Sequence, residues 1–180
     1  DFNSSFNGSS SGWSAVYGSW ALNSGLYYRT AGVVNKLSSA KHTGTYGDLT
    51  FEARMKRTGC TWCSNGLIIR GNPASQTSSK FWYSSYWFGY SQDGRFGIYE
   101  YSSTGVETEL KGWTSSPAIV TGNNWNTLKV VAVGSSLKFY INGTLVWTIT
   151  DSTLKTGQVG VAMYRDDTTT GNAFLVDWAK

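Results

Sequence analysis

Two glutamates in the segment "VETEL" have the spacing that paired acid chemistry would use. Glu107 and Glu109 alternate along the chain, so on a strand both side chains would project from one face. Hydrolysis of a glycosidic bond uses two carboxyl groups, one as the acid and the other as base or nucleophile. Exposed strand faces also carry such acids without any catalytic role, and we expect Glu107 and Glu109 to form a solvated face.

Nucleophilic hydrolysis has little support in the sequence. A Ser-His-Asp arrangement needs a histidine as the general base, and the chain contains one histidine, His42. That single residue would have to be placed beside both a serine and an acid. We therefore do not expect this chemistry.

Charged hydrogen-bonding groups occur together in the segment "YRDDTTTGN" near the end of the chain. Arg165 is followed directly by Asp166 and Asp167. An arginine beside acids can bind vicinal hydroxyl groups through charged hydrogen bonds in both directions. The same sequence is also common in solvated turns, and both interpretations stay open.

The two cysteines lie close together in "GCTWCSNG". A zinc site would use four Cys or His ligands, which Cys60, Cys63 and one histidine cannot supply. A redox motif would open a helix after a strand, whereas this pair lies in a loop rich in Gly and Ser. We expect a short disulfide between Cys60 and Cys63, which indicates a location outside the cytoplasm. The alternative is two free thiols.

The charged residues of the chain indicate which metal ions and polyanions it could bind. Asp1 and Asp177, near the two chain ends, could join backbone carbonyls around a structural calcium ion, or could simply be exposed. The net charge is +4, but Lys56-Arg57 is the only adjacent basic pair. We expect no nucleic-acid partner, because such partners require clustered basic residues.

Ten aromatic residues surround one turn between Phe81 and Tyr101, in "FWYSSYWFGYSQDGRFGIYEY". A two-residue turn at Asp93-Gly94 would pair Tyr86 with Tyr101. Directly paired residues share a face, so one face would carry Tyr86, Phe88, Tyr90, Tyr99 and Tyr101. The other would carry Trp87, Gly89, Ser91, Phe96, Ile98 and Glu100. Buried tyrosine hydroxyls need partners, so we expect the tyrosine face to be open and Phe96 and Ile98 to face the core. A shift of one residue in the register would exchange the faces.

The elements that carry these residues are predicted to be strands throughout. Aromatic residues make up 16% of the chain, charged residues 14%, and there are 21 glycines. Short alternating runs such as "LTFEARMKR" are bounded by Gly, Asn, Asp and Ser, and Asn142-Gly143 is a second hairpin signal. With no crossover helices, the fold class is all-β: a two-sheet antiparallel β-sandwich, or jelly roll. The 180 residues suit a single domain, residues 1 to 180. The Ser-rich segment from Asn3 to Gly12 is predicted to be a surface loop.

The order of these segments resembles that of the concanavalin A-like jelly-roll domains. The segments that carry the resemblance are "GDLTFEARMK", "NGLIIRG", "YWFGYSQDGRFGIYEY", "WNTLKVVAVGSSLKFYING", "KTGQVGVAMY" and "NAFLVDW". The chain is similar to laminin-G-like sugar-binding modules, including the levan-binding type, and to the 3-keto-disaccharide hydrolase domain family. The Glu-x-Asp-x-x-Glu strand motif of the laminarinase type has no match in this chain.

The resemblance implies a sugar site on the concave sheet. The ligand-binding residues expected from the resemblance and the hairpin together are Arg70, Tyr86, Tyr90, Tyr99, Tyr101, Arg165 and Asp166. The leading hypothesis is a non-catalytic module that binds a polysaccharide by aromatic stacking and by Arg and Asp hydrogen bonds. The alternatives are a small glycan-cleaving hydrolase or lyase on the same fold, and a cell-surface adhesion domain.

The expected setting of the protein follows from the same hypothesis. We expect a monomer that is secreted or located at the cell surface, without a membrane span because no apolar run reaches the roughly 18 residues that a span requires. It could be one part of a larger multidomain enzyme that acts on glycans.

Overall fold

The computed structural model describes residues 1–30, 32–166, 168 and 170–180, and it confirms the all-β class. Fifteen strands follow one another, with no helix among the described residues. The strands are β1 Trp13–Tyr17, β2 Ala21–Asn23, β3 Leu26–Thr30, β4 Lys36–Tyr46, β5 Leu49–Thr58, β6 Asn65–Gln76, β7 Trp82–Tyr83, β8 Ser85–Tyr90, β9 Arg95–Tyr101, β10 Glu107–Ser115, β11 Asn126–Val133, β12 Ser136–Ile141, β13 Thr144–Thr150, β14 Gly157–Arg165 and β15 Ala173–Ala179.

Two antiparallel sheets form a sandwich. The larger, eight-stranded sheet has the order β1-β4-β14-β6-β8-β9-β10, with β7 paired to β6 beside this path. The smaller, seven-stranded sheet has the order β13-β12-β11-β5-β15-β3-β2. Strands distant in sequence are neighbours in both sheets, as in a jelly roll.

The hydrophobic core lies between the two sheets. Strand β5 alternates as its sequence predicts: Phe51, Ala53 and Met55 are buried, and the residues between them face outward. Rings from both sheets meet in the core, as where Phe88 of β8 packs edge to face on Phe139 of β12, with 5.2 Å between centroids. Burial of apolar surface between the sheets is the main source of stability for this fold.

The predicted register of the β8–β9 hairpin is wrong by one residue. Tyr86 pairs with Glu100 and Trp87 pairs with Tyr99. The turn contains three residues, because the Ser91 amide donates to the Arg95 carbonyl and only Gly94 takes a positive φ, 93°. This is the three-residue hairpin loop, in which a type I turn is followed by a left-handed residue.

The one-residue shift in register exchanges the two faces of β8, whereas the side chains of β9 lie on the predicted faces. Phe96 and Ile98 of β9 face the core, where they now lie opposite Tyr90 and Phe88. Trp87 of β8 moves to the outer face of the larger sheet, which is the face turned away from the smaller sheet. That outer face therefore carries Trp87, Tyr99 and Tyr101.

The second hairpin signal is confirmed. Asn142 and Gly143 both have positive φ, 49° and 81°, and Ile141 pairs directly with Thr144 across them. This geometry is that of a two-residue turn whose twist matches the strands that it joins.

The Ser-rich N-terminal segment is more than a surface loop. Phe6 is 1% exposed and stacks on Tyr27, with 5.2 Å between centroids. Ser4 forms a bridge with Ala179 of the last strand, which brings the two ends of the chain together. The segment thus closes one side of the core.

No helix in the described part of the chain has the length and apolar character that a membrane crossing requires.

Candidate functional site

Part of the outer face of the larger sheet is covered by the connection between β6 and β8, which contains β7. Trp82 is fully buried against this face, and its indole Nε1 donates to Ser39 Oγ at 2.9 Å. Gly160 and Gly71 make room for the indole: a Cβ at either glycine would lie 2.4 Å and 2.6 Å from the ring. The part of the face over β8, β9 and β10 stays open.

Stacked rings form one side of this open part. Phe81 lies on Tyr101, with 4.7 Å between centroids and 17° between planes, and meets the edge of Trp87 at 6.1 Å. Tyr164 of β14 contacts the same phenyl ring at 5.5 Å. Trp87 and Tyr101 are only 2% and 3% exposed, so they act as the floor on which the other rings rest.

A pair of glycines leaves the centre of the face without side chains. Gly89 and Gly97 lie opposite each other on β8 and β9. The ring of Trp113, from β10, lies over Gly97, where a Cβ would come within 3.3 Å of its Cδ2 atom and 2.9 Å of Tyr99 Cε2. Gly97 therefore lets Tyr99 and Trp113 lie close to the sheet, and Gly89 makes room for the Trp87 indole, whose Nε1 would lie 2.7 Å from a Cβ there.

The predicted disulfide between Cys60 and Cys63 is confirmed, and it supports a tryptophan at the rim. Both cysteines are buried, yet Trp62 between them is 52% exposed, the largest exposed fraction among the tryptophans. Trp62 and Trp113 line the same cleft. Large aromatic side chains left open in this way usually indicate a contact surface.

Carboxylates accept hydrogen bonds from the tyrosines of the cleft. Tyr101 donates to Glu107, and Tyr99 donates to Glu109 over 3.5 Å. Burial, together with the negative charges of Glu109 and Glu107, raises the pKa of the Tyr99 hydroxyl to about 12. Burial and the hydrogen bond to Glu107 also raise the pKa of the Tyr101 hydroxyl. Both hydroxyls therefore stay protonated at physiological pH.

The complete cleft is both aromatic and polar. At the β8–β9 turn, the Arg95 guanidinium is held by Asp93, with 2.6 Å between Nη2 and Oδ2. The cleft has a volume of about 400 Å³, within the range of ligand sites in proteins. Its lining residues are Trp62, Ser64, Phe81, Trp87, Arg95, Tyr99, Tyr101, Glu107, Trp113, Tyr164 and Asp166.

Three of the predicted ligand-binding residues lie in this cleft: Tyr99, Tyr101 and Asp166. Arg165 precedes Asp166 but faces away, and its Nη1 donates to the Gly32 carbonyl at 2.9 Å. Asp167, the second acid of that segment, lies outside the described residues.

The other three predicted residues are buried elsewhere. Tyr86 and Tyr90, each 1% exposed, face the core because of the register exchange. The Tyr86 hydroxyl donates to Asp151 Oδ1 at 2.7 Å and accepts from the Leu154 amide at 3.2 Å, so its burial is satisfied. Arg70 is also 1% exposed, and its guanidinium donates to the carbonyls of Gly47 and Leu154. These three side chains support the fold and are not accessible to a ligand in the cleft.

Three tryptophans of the site, two of them exposed, were not predicted from the sequence. Trp62 carried a usable signal, because a tryptophan between two cysteines in a polar loop has few ways to be buried. Predicting that Trp87 lies on the outer face would have required the correct register of the β8–β9 hairpin. Trp113 had no signal beyond its residue type, since its place over Gly97 depends on irregular pairing between β9 and β10.

The structure gives no direct support to the predicted calcium site. Asp177 is ion-paired with Arg54, which places a cation beside its carboxylate. Asp1 is exposed and lines a separate cavity of about 200 Å³ with Asp48 and Lys180. Within the described ranges, no three His, Cys, Asp or Glu side chains are grouped so that they could share a metal ion. The calcium ion therefore remains a prediction from the sequence.

Comparison with solved structures identifies the class of fold. The carbohydrate binding module CBM66 from Bacillus subtilis is 17% identical, with a TM-score of 0.69 and 91% of each chain covered. A Bacillus licheniformis beta-glucanase is 16% identical, with a TM-score of 0.73, covering 99% of this chain and 95% of that one. A beta-1,3-1,4-glucanase (lichenase) from a mouse hindgut metagenome is 11% identical, with a TM-score of 0.73 and coverage of 99% and 96%. The fold is therefore the concanavalin A-like jelly roll, found both in binding modules and in glycoside hydrolases.

The sequence places the chain within a family of that class. The model of the 3-keto-alpha-glucoside-1,2-lyase-like domain matches residues 1–176, and the chain belongs to this family. No curated protein sequence matches the chain.

Proposed function

We propose that the protein is a non-catalytic carbohydrate-binding module that binds a neutral polysaccharide in the aromatic cleft. The observation that carries this proposal is the pair of exposed indoles, Trp62 and Trp113, beside Tyr99 in one cleft. The C–H face of a sugar ring packs well on a flat aromatic ring, whose face is electron-rich. Glu107, Asp166 and Arg95 at the rim can then form directional hydrogen bonds with sugar hydroxyls.

The charges around the cleft favour a neutral ligand. The protein has a net charge of +4, yet Glu107 and Asp166 line the cleft and Glu109 lies beside it. Among the described residues that line the cleft, Arg95 carries a guanidinium, and this group is already paired with Asp93. A chain of uronic acids or sulphated sugars would meet these carboxylates and be repelled.

The positions of the acids argue against catalysis at the centre of the sheet. Strands β4, β6, β8 and β14 contain no Asp or Glu, so no carboxylate is available on the four central strands of the described sheet. Glu100 of β9 pairs with Tyr86 on the core side. The acids that reach the cleft from the sheet belong to β10, the edge strand.

Affinity electrophoresis against a panel of polysaccharides tests the proposal. We expect retention by a neutral β-glucan or fructan, and none by polygalacturonate. Trp113→Ala should weaken retention by about tenfold, because tryptophans at contact sites commonly contribute more than 1 kcal/mol. The matched control is Trp125→Ala, a half-buried indole that lies under Arg54 and Lys56. Equal retention of the two variants would refute the site.

A glycan-cleaving enzyme is the second candidate, because both edge-strand carboxylates accept hydrogen bonds from cleft tyrosines. In this case Glu107 and Glu109 would serve as the acid and base pair. Incubation with each retained polysaccharide, followed by assays for reducing ends and for unsaturated products, separates the two candidates. Product release that disappears in both Glu107→Gln and Glu109→Gln would identify an enzyme and contradict our proposal.

The setting of the protein is proposed on the same basis. A disulfide persists in oxidising compartments, and polysaccharides are ligands met outside the cell, so we propose a secreted or cell-surface location. Measuring the oxidation state of Cys60 and Cys63 in protein recovered from its native source would test this.

A further inference from the structure

The disulfide loop consists of a buried frame and an exposed indole. Cys60 and Cys63 are 2% and 0% exposed, whereas Trp62 is 52% exposed at the rim of the cleft. The two cysteines are three residues apart in sequence, and a disulfide that closes so short a loop adds less stability to a fold than one that closes a long loop. Its main effect here is on the few residues that it encloses.

Hydrogen bonds fix this frame on both sides. On one side, the Cys60 amide donates to Asn172 Oδ1 at 3.1 Å. On the other, Gln92 Nε2 donates to the Cys60 carbonyl at 3.0 Å, and the Asp93 amide donates to the Thr61 carbonyl at 3.1 Å. Gly59, before the loop, packs so closely on Asn172 that a Cβ would lie 2.9 Å from its Cα.

The frame also connects two other parts of the site. Asp166, which lines the cleft, donates its amide to Cys63 Sγ at 3.3 Å. Asp93, which holds Arg95, belongs to the turn that bonds to Thr61. The disulfide thus lies where the late loop, the β8–β9 turn and Trp62 meet.

We propose that the Cys60–Cys63 disulfide is a positioning group that holds the Trp62 indole ready for the ligand. This inference rests on the proposed function, because it concerns the affinity of the same cleft. Reduction would let residues 60 to 63 sample more conformations, and binding would then have to order the indole. A contact surface held in its bound form avoids that entropic cost.

Trp113 provides the internal comparison. It is also an exposed tryptophan of the cleft, 38% exposed, but it is held by strand β10 and by the space over Gly97. Its position does not depend on the disulfide. Loss of the disulfide should therefore affect the contribution of Trp62 and leave that of Trp113 unchanged.

A double-mutant cycle tests this with the polysaccharide that the wild type retains. Affinities would be measured by isothermal titration calorimetry for the variants Cys60→Ser/Cys63→Ser, Trp62→Ala and Trp113→Ala, and for the double cysteine change in each tryptophan background. We expect Trp62→Ala to weaken binding about tenfold. Loss of both cysteines should weaken binding about fivefold in the wild type and in Trp113→Ala. In Trp62→Ala the same change should have a clearly smaller effect, because only the support of neighbouring cleft residues such as Asp166 is then lost.

Each other outcome overturns the inference in a recognisable way. An equal effect of the cysteine change in both tryptophan backgrounds would mean that the disulfide acts on the whole fold. A Trp62→Ala variant with wild-type affinity would refute the inference while the proposed function stands. If the wild type retained no polysaccharide, the proposed function would fail, and the inference with it.

A second measurement covers the case in which the serine variant does not fold. The wild-type protein, Trp62→Ala and Trp113→Ala would be reduced with a phosphine and titrated before and after. Circular dichroism and melting temperature would report whether the fold is retained. The expected pattern is the same, with a larger loss of affinity on reduction in the wild type and in Trp113→Ala than in Trp62→Ala.

Discussion

Tyrosines of the β8–β9 hairpin have two different roles, according to the face on which they lie. Tyr86 faces the core, where its hydroxyl is bonded to Asp151 and to the Leu154 amide. Tyr99 faces the cleft, where its ring lies beside Trp113 with 6.4 Å between centroids. The same residue type is therefore structural in one strand and available to a ligand in the next.

This difference gives a prediction with an internal control. Tyr86→Phe should lower the free energy of unfolding by about 1 to 3 kcal/mol, because Asp151 and the Leu154 amide lose their shared partner. Glycan affinity should stay unchanged. Tyr99→Ala should do the reverse, with weakened binding and nearly wild-type stability in urea denaturation. If Tyr86→Phe weakened binding directly at full stability, the register described here would be wrong.

Glu100 is an acid on the core side of the hairpin. Burial and the nearby negative charge of Asp151 raise the pKa of its carboxyl. A group whose pKa is raised on folding contributes stability below its unfolded value, about 4.3, and loses that contribution as the pH rises through the folded value. At neutral pH the ionised Glu100 therefore lowers stability.

Replacing this acid should stabilise the protein in a pH-dependent way. We expect Glu100→Gln to melt at a higher temperature than wild type at pH 7, and the difference to vanish at about pH 4 and below. Glu109→Gln, which changes an exposed acid on the next strand, is the control. A Glu100→Gln melting temperature equal to or below wild type at pH 7 would show that the carboxylate is stabilised by its surroundings.

The strands were predicted well from the sequence, but one of the two predicted hairpin turns was wrong. Alternation fixed the buried face of β5, and Asn142-Gly143 gave the expected turn, because both signals are local. The predicted two-residue turn at Asp93-Gly94 was wrong. The Asp93 side chain accepts hydrogen bonds from Ser91 and Arg95, and only Gly94 adopts a positive φ. The extra turn residue, Gln92, was not visible in the pattern.

Gly97 of β9, one of the paired glycines, gives a testable prediction about the packing of the cleft. A methyl group at Gly97 would lie 2.9 Å from Tyr99 Cε2 and 3.3 Å from Trp113 Cδ2, so both rings would have to move. Gly97→Ala should therefore weaken glycan binding by about 1 kcal/mol, roughly fivefold. The control is Gly47→Ala, where the new Cβ would meet only the Lys155 carbonyl at an ordinary 3.6 Å. If the affinities measured by calorimetry fell equally in both variants, Gly97 would not be needed to position Tyr99 and Trp113.

The site as a whole was predictable only in part. Tyr99, Tyr101 and Asp166 were expected from the hairpin and the late loop in the sequence and do line the candidate cleft, while their contact with a ligand stays a prediction. Trp62, Trp87 and Trp113 come together through pairing between distant strands and through a disulfide loop packed on two other segments. Such convergence depends on register and tertiary packing, which single-sequence patterns do not determine.

The Ser-rich N-terminal segment, Asn3 to Gly12, completes the hydrophobic core of the molecule. Phe6 is buried against Tyr27 and Trp13, with centroids 5.2 Å and 5.8 Å away. We expect Phe6→Ala to lower the free energy of unfolding by about 3 kcal/mol, through lost burial and the cavity left behind. Phe2→Ala, at a half-buried phenylalanine that stacks on His42, should cost clearly less.

Two readouts check this prediction about the N-terminal segment. Urea denaturation should rank the variants as wild type, Phe2→Ala and Phe6→Ala, in order of falling stability. Glycan affinity should be the same for all three, since neither phenylalanine lines the cleft. A Phe6→Ala variant as stable as wild type would show that the segment is an independent surface loop.

The bridge between Ser4 and Ala179 determines how the molecule would respond to mechanical tension. The bridge is isolated and antiparallel, so a force that pulls residues 1 and 180 apart acts on the same side of the Ser4–Ala179 pair. We expect such a force to break the two backbone hydrogen bonds between Ser4 and Ala179 one after the other, as in unzipping, instead of both together. Ala179 also belongs to β15, which is paired with β5, whereas among the described residues before β1 only Ser4 forms a bridge. Under load the N-terminal segment would therefore peel away first and take Phe6 with it.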